Sequence, residues 1–121
     1  MRNLKLTLVQ QELHWHNPAA NRDMFAGIVA DCAANSDLVV LPETFTTGFT
    51  MQAEGNDEPV DGATTAWLCE LAGAHDVAIC GSLIIRENDR YFNRLVWAQP
   101  DGSVYTYDKR HLFHMGGEDK P

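Results

Sequence analysis

The segment Asp37-Leu38-Val39-Val40-Leu41-Pro42-Glu43 constrains the fold of this chain more than any other. Leu38 to Leu41 form a short, uninterrupted apolar run, the mark of a strand buried on both faces. Pro42 has no amide hydrogen to give to a sheet ladder, so pairing ends there. Glu43 then stands just past the strand's carboxyl end, where open α/β sheets gather their ligands. Thr44-Phe45-Thr46-Thr47-Gly48-Phe49 follows as an irregular, glycine-containing stretch suited to lining a pocket. On these grounds alone Glu43 reads equally as a general base and as a surface glutamate opening a loop.

The rest of the chain alternates. Residues 4–10 read as a strand, with Leu4, Leu6 and Leu8 set against Lys5 and Thr7. Asn17-Pro18 pairs an N-cap residue with proline at the first helical position, which predicts a helix running to about Asn35. Residues 50–61 are acidic and loop-like. Asp61 is the expected cap of a second helix that runs to about His75. Residues 77–85 form another apolar strand, Asn88-Asp89 marks a turn, and residues 91–98 form the next strand. Pro100-Asp101-Gly102 is a turn signal leading into a strand over 103–108. Strand–helix–strand–helix–strand is an α/β signal, and the later hairpins predict a mixed sheet. At 121 residues, with 45% hydrophobic and 21% charged content, the chain suits one globular domain with one core. It carries no internal repeat and no low-complexity linker.

In the last strand Val104, Thr106 and Asp108 face one way, and Ser103, Tyr105, Tyr107 and Lys109 the other. Lys109 at the end of that face can stabilise a developing oxyanion. It can equally run out to solvent beside Asp108, and local sequence alone leans toward that second reading.

Several function classes drop out. A formal net charge of −8 argues against nucleic acid or an anionic membrane as partner. Met1-Arg2-Asn3 is followed by a short strand with no apolar h-region, and no run approaches membrane-spanning length, so a cytoplasmic location is expected. Cys32, Cys69 and Cys80 fall on apolar stripes and read as small core residues. Their odd number and unpaired spacing argue against a disulfide framework and for a reducing compartment. His14 and His16, or His111 and His114, offer histidine pairs, but neither has the spacing of a helical zinc hydrolase. The stretch Glu54-Gly55-Asn56-Asp57-Glu58 lacks the alternating ligands of a calcium loop. Trp67 and Trp97 read as core residues rather than ligand-stacking ones.

Two segments taken together carry a resemblance. Leu41-Pro42-Glu43-Thr44-Phe45-Thr46-Thr47-Gly48-Phe49 and Tyr107-Asp108-Lys109-Arg110-His111-Leu112-Phe113 resemble the first two signature motifs of the nitrilase, or carbon–nitrogen hydrolase, superfamily. The Thr-Thr-Gly-Phe and Lys-Arg-His-Leu-Phe forms look most like its omega-amidase branch. The resemblance implies an α/β fold, part of an α-β-β-α sandwich with a mixed sheet and outer helices. It implies a Glu-Lys-Cys site: Glu43 as general base, Lys109 as oxyanion-stabilising lysine. Glu118 in Gly116-Gly117-Glu118 is similar to an additional orienting glutamate, although Asp119-Lys120-Pro121 departs from the aromatic-containing continuation of that motif. The nucleophilic cysteine belongs to a third motif beyond Pro121, so residues 1–121 are expected to be the amino-terminal portion of a single domain, inactive alone. The substrate implied is a small ω-amide of a dicarboxylic or α-keto acid, with no metal or organic cofactor. An uncovered apolar sheet face invites association, and a homo-oligomer is expected. A non-catalytic assembly module, and another superfamily branch acting on carbamoyl groups, aliphatic amides or nitriles, remain as alternatives.

Overall fold

The computed structural model describes residues 3–48 and 53–111, with backbone alone at Arg110 and His111. Strand β1 (Leu6–Leu8) leads into helix α1 (Pro18–Cys32), a short 3-10 turn (Ala33–Asn35) and strand β2 (Leu38–Val40). The two-residue strand β3 (Glu58–Pro59) precedes helix α2 (Ala63–His75). Strands β4 (Ala78–Glu87), β5 (Arg90–Ala98) and β6 (Val104–His111) complete the described chain. The sheet order is β1-β2-β4-β5-β6, with β3 paired to β4. β1, β2 and β4 run parallel, each joined to the next through a helix. β4, β5 and β6 are antiparallel. The sheet is therefore mixed.

Local chemistry accounts for the boundaries. The Asn17 side chain accepts the Ala20 amide at 3.1 Å and Pro18 opens α1, as the Asn-Pro pair predicts. Asn21, Phe25 and Val29 recur every four residues and form the buried face of α1. Asp76 adopts a left-handed conformation at φ 53° and closes α2 by giving its N–H to Ala72 O. Asn88 and Asp89, both at positive φ (55° and 62°), make the tight β4–β5 turn.

The start of α2 departs from expectation. Asp61 does not cap the helix; Gly62 occupies the cap position without a side-chain bond. Asp61 lies in a left-handed turn at φ 62°, tied by Gly62 N–H to Pro59 O. Glu58 on β3 takes over the role. Its Oε1 accepts the Thr64 amide at 2.8 Å and its Oε2 pairs with the Thr64 hydroxyl. A carboxylate at a helix amino terminus also complements the helix dipole. The first strand is shorter than the predicted 4–10, because the β2 segment it pairs with is only Leu38–Val40.

Both helices cover one face of the sheet. Phe25 and Val29 of α1 and Leu68 and Ala72 of α2 pack on Val39, Leu41, Ile79, Leu83, Ile85, Val96 and Ala98. Each large side chain fully buried there contributes roughly 1.5–3 kcal/mol. Trp67, Cys32 and Cys69 lie half-buried against this core. The opposite face carries a thinner cluster of Leu38, Ala78 and Cys80 flanked by Val40, Leu95 and Trp97. Neighbours on that same face stay exposed: Leu6 is 52%, Leu8 70%, Tyr105 62% and Tyr107 65% accessible. Among the described residues no helix is long and apolar enough to cross a membrane.

Candidate active site

The Glu43 loop is held from several directions. Leu41 gives its amide to Cys80 O at 2.8 Å, and Pro42 ends the ladder. Thr44 follows Glu43 at φ 45°, a left-handed conformation that is a real outlier for a β-branched residue. Strain of this kind costs about 1–3 kcal/mol and persists only where the surroundings impose it. Here the buried Ser82 hydroxyl accepts the Thr44 amide at 2.8 Å, while Thr44 O accepts from the amides of Thr47 and Gly48. Phe45 is fully buried, edge-on to Phe25 at 5.7 Å and tilted against Trp67 at 5.8 Å. A Cβ on Gly81 would lie 2.7 Å from the Phe45 ring, so only glycine lets the loop close down on β4.

Asn21 supplies the remaining anchor. It is fully buried on α1, donates to Thr46 O at 2.7 Å and His14 O at 2.8 Å, and accepts the His14 amide at 2.7 Å. Asn21→Ala leaves these backbone groups without partners, and should cost about 2–3 kcal/mol in denaturant-unfolding measurements.

Lys109 reaches the site through an irregularity in the sheet. β5 and β6 pair Arg94 with Asp108 and Asn93 with Arg110, which leaves Lys109 as an extra, unmatched residue. Such a bulge bends the strand and re-aims a side chain. The neighbouring Asp108 is gripped from the other side of the sheet. Arg94 Nε and Nη2 donate to its two carboxylate oxygens at 2.5 and 3.0 Å, and Arg94 Nη2 also lies 2.8 Å from Glu87 Oε1. The hydrogen bond to Asp108 is the first cause that holds the Arg94 guanidinium in its charged form well above its ordinary pKa. Asp108 is thus committed to Arg94, and Lys109 turns to the opposite side of the strand.

Glu43 and Lys109 meet. Lys109 Nζ lies 3.3 Å from Glu43 Oε2, and each side chain remains about half exposed (42% and 48%). Asn93 of β5 joins them, its Nδ2 donating to the same Oε2 at 2.6 Å. Glu43 comes from the end of β2, Asn93 from β5 and Lys109 from the bulge in β6. All three project on the sheet face away from the helices, since Asn93 pairs with Ile84 and shares a side with Leu95 and Trp97. A carboxylate, an ammonium and a buried amide converging on an open surface can accept a proton and stabilise a developing negative charge.

Of the candidates read from the sequence, Glu43 and Lys109 meet here, while Asn93 and Ser82, which hold Glu43 and its loop, do not stand out in the sequence. The available signal was a polar residue within the alternating side Tyr91, Asn93, Leu95, Trp97 of an apolar strand. Glu118 lies outside the described residues, as does His114. Cys80 is buried, and burial pushes its thiol pKa up; desolvation, then the charge of Asp61, does the same to Cys69. Both shifts run against the thiolate that a nucleophile requires.

Comparison with known proteins agrees with this architecture. The family pattern of carbon–nitrogen hydrolases matches residues 5–121. The omega-amidase YafV of Yersinia enterocolitica is 42% identical over 118 residues, spanning 98% of this chain and 45% of that protein. YafV of Escherichia coli (strain K12), also an omega-amidase, is 36% identical over 118 residues, with the same shares of 98% and 45%. A solved CN-hydrolase superfamily protein from Xanthomonas campestris, XC1258, which has an arsenic adduct in its active site, superposes with a TM-score of 0.87 at 47% identity. That match covers 98% of this chain and 44% of the other. The chain thus spans less than half the length of these relatives. By its sequence pattern and its fold, the chain belongs to the carbon–nitrogen hydrolase family.

Proposed function

We propose that this chain is the amino-terminal portion of an amidase that hydrolyses the C–N bond of a small ω-amide of a dicarboxylic or α-keto acid. The observation that carries the proposal is the approach of Lys109 Nζ to Glu43 Oε2, 3.3 Å apart on an open sheet face, in a chain 42% identical to an omega-amidase. A cysteine supplied from beyond residue 121 is the nucleophile. Glu43 takes its proton, and the thiolate attacks the amide carbon. The carbonyl π electrons move onto oxygen, and the Lys109 ammonium stabilises that oxyanion. The tetrahedral intermediate collapses, the C–N bond breaks, and nitrogen leaves as ammonia with the proton returned from Glu43. Glu43 then deprotonates a water, which attacks the thioester and releases the acid and the thiol. Glu118 is proposed as an additional orienting group. The mechanism asks for no metal or organic cofactor, and the exposed Leu6, Leu8, Tyr105 and Tyr107 support association with further chain, including a homo-oligomer.

The test is ammonia release from glutaramate. The full-length protein should turn it over, and the 121-residue chain should not, because a lysine and a glutamate form no thioester. Turnover by the 121-residue chain that disappears in Cys80→Ala would place the nucleophile in β4 and overturn this account. A full-length protein inactive on glutaramate and on related ω-amides would remove the substrate assignment.

A further inference from the structure

Asn93 is 4% accessible and occupies a place in β5 that is otherwise apolar on its side. Its Nδ2 bonds Glu43 Oε2 at 2.6 Å, the oxygen that Lys109 Nζ approaches at 3.3 Å. Its own Oδ1 is buried without a hydrogen-bond partner, alone in this among the buried side-chain atoms of the described residues. An orphaned buried acceptor is costly, and such exceptions call for an explanation. Rotating the amide would not relieve it: the oxygen would then face Glu43 Oε2, two acceptors against each other. The amide orientation is therefore set by Glu43, and the unpaired oxygen is the consequence.

We infer that Asn93 is the positioning residue for Glu43: with Lys109 it pins Oε2, and it thereby leaves Oε1 as the atom that exchanges protons. The inference rests on the proposed role of Glu43 as base. Among the described residues Oε1 has no hydrogen-bond or ion-pair partner, whereas Oε2 has two. Two donors from adjacent strands fix the carboxylate by one oxygen, as a hinge fixes a door. The stability lost at Asn93 Oδ1 is exchanged for a base held in one orientation.

The experiment uses the full-length protein and Asn93→Leu, which keeps the branching at Cγ at the cost of some added bulk and removes both the donor and the orphaned acceptor. Turnover of glutaramate should fall on the order of tenfold in kcat with KM unchanged, because the base loses its orientation and the substrate keeps its contacts. The thermal midpoint should stay at or above that of the unaltered protein. A structural asparagine would lose stability instead. In a Glu43→Gln background the same substitution should cost no further turnover, since the group it positions no longer acts. If leucine prevents folding, Asn93→Ala, which has neither donor nor acceptor, repeats the kcat comparison in the two backgrounds. Equal kcat losses in the two backgrounds, or a loss matched by the fall in folded fraction, would overturn the inference. If the unaltered protein hydrolyses no ω-amide, the proposed function fails separately. The Asn93–Glu43 coupling is then read from unfolding of Asn93→Leu, Glu43→Ala and the double variant, and strict additivity there would overturn it.

Discussion

Glu43→Gln in the full-length protein should lower turnover by at least about a hundredfold, the usual contribution of a positioned general base. The substitution keeps the shape of the side chain and removes its basicity. In the proposed mechanism it therefore strikes both halves of the reaction, thiol deprotonation and water activation. The fold should be spared. Glu43 is 48% exposed beyond the end of β2, and a glutamine oxygen can still accept the Asn93 amide that now bonds at 2.6 Å. Substitutions of this kind usually move stability by no more than about 0.5 kcal/mol. Steady-state kinetics and thermal unfolding on one preparation check both statements.

Lys109→Ala should cost on the order of 3 kcal/mol of transition-state stabilisation, or about a hundredfold in kcat, by removing the charge proposed to meet the oxyanion. The bulge that presents Lys109 should survive, because Arg94 still holds Asp108 at 2.5 and 3.0 Å. Lys109→Arg should not rescue the rate: a planar, forked guanidinium cannot replace a compact ammonium at the end of a flexible stem. The comparison is kcat for the three proteins at saturating glutaramate, with circular dichroism confirming that each is folded.

What was legible in the sequence is what is local. The run Leu38 to Leu41 and its terminating proline mark β2 because hydrophobic continuity and a missing amide act within a few residues. Asn17-Pro18 marks the start of α1 for the same reason, and Asn88-Asp89 the β4–β5 turn. The helix–strand alternation led to an α/β fold with a mixed sheet, and the motif resemblance led to the carbon–nitrogen hydrolase family.

What was hidden depends on residues far apart in the chain. Asp61 is a sound cap by local rules, but the Glu58 carboxylate on β3 takes the Thr64 amide and hydroxyl instead. Period-two alternation placed Lys109 beside the tyrosines and could not show the bulge, because a bulge exists only in the pairing of two strands. Asn21 and Asn93 look like ordinary polar residues until Thr46, His14 and Glu43 are brought against them. The left-handed Thr44 is the clearest case. No β-branched residue predicts that conformation, and it exists because Ser82 and the loop amides impose it.

Glu43 and Lys109 are proposed to act as one catalytic unit, and the most direct measurement is turnover per folded molecule for Glu43→Gln, Lys109→Ala and the double variant. Residues that act as a unit lose function non-additively. The double variant should therefore fall within about tenfold of the worse single variant, and not to the product of the two losses, with all three proteins unfolding near the temperature of the unaltered one. A single variant that unfolded far earlier yet kept the full rate per folded molecule would make the 3.3 Å pair a structural ion pair and contradict the central claim.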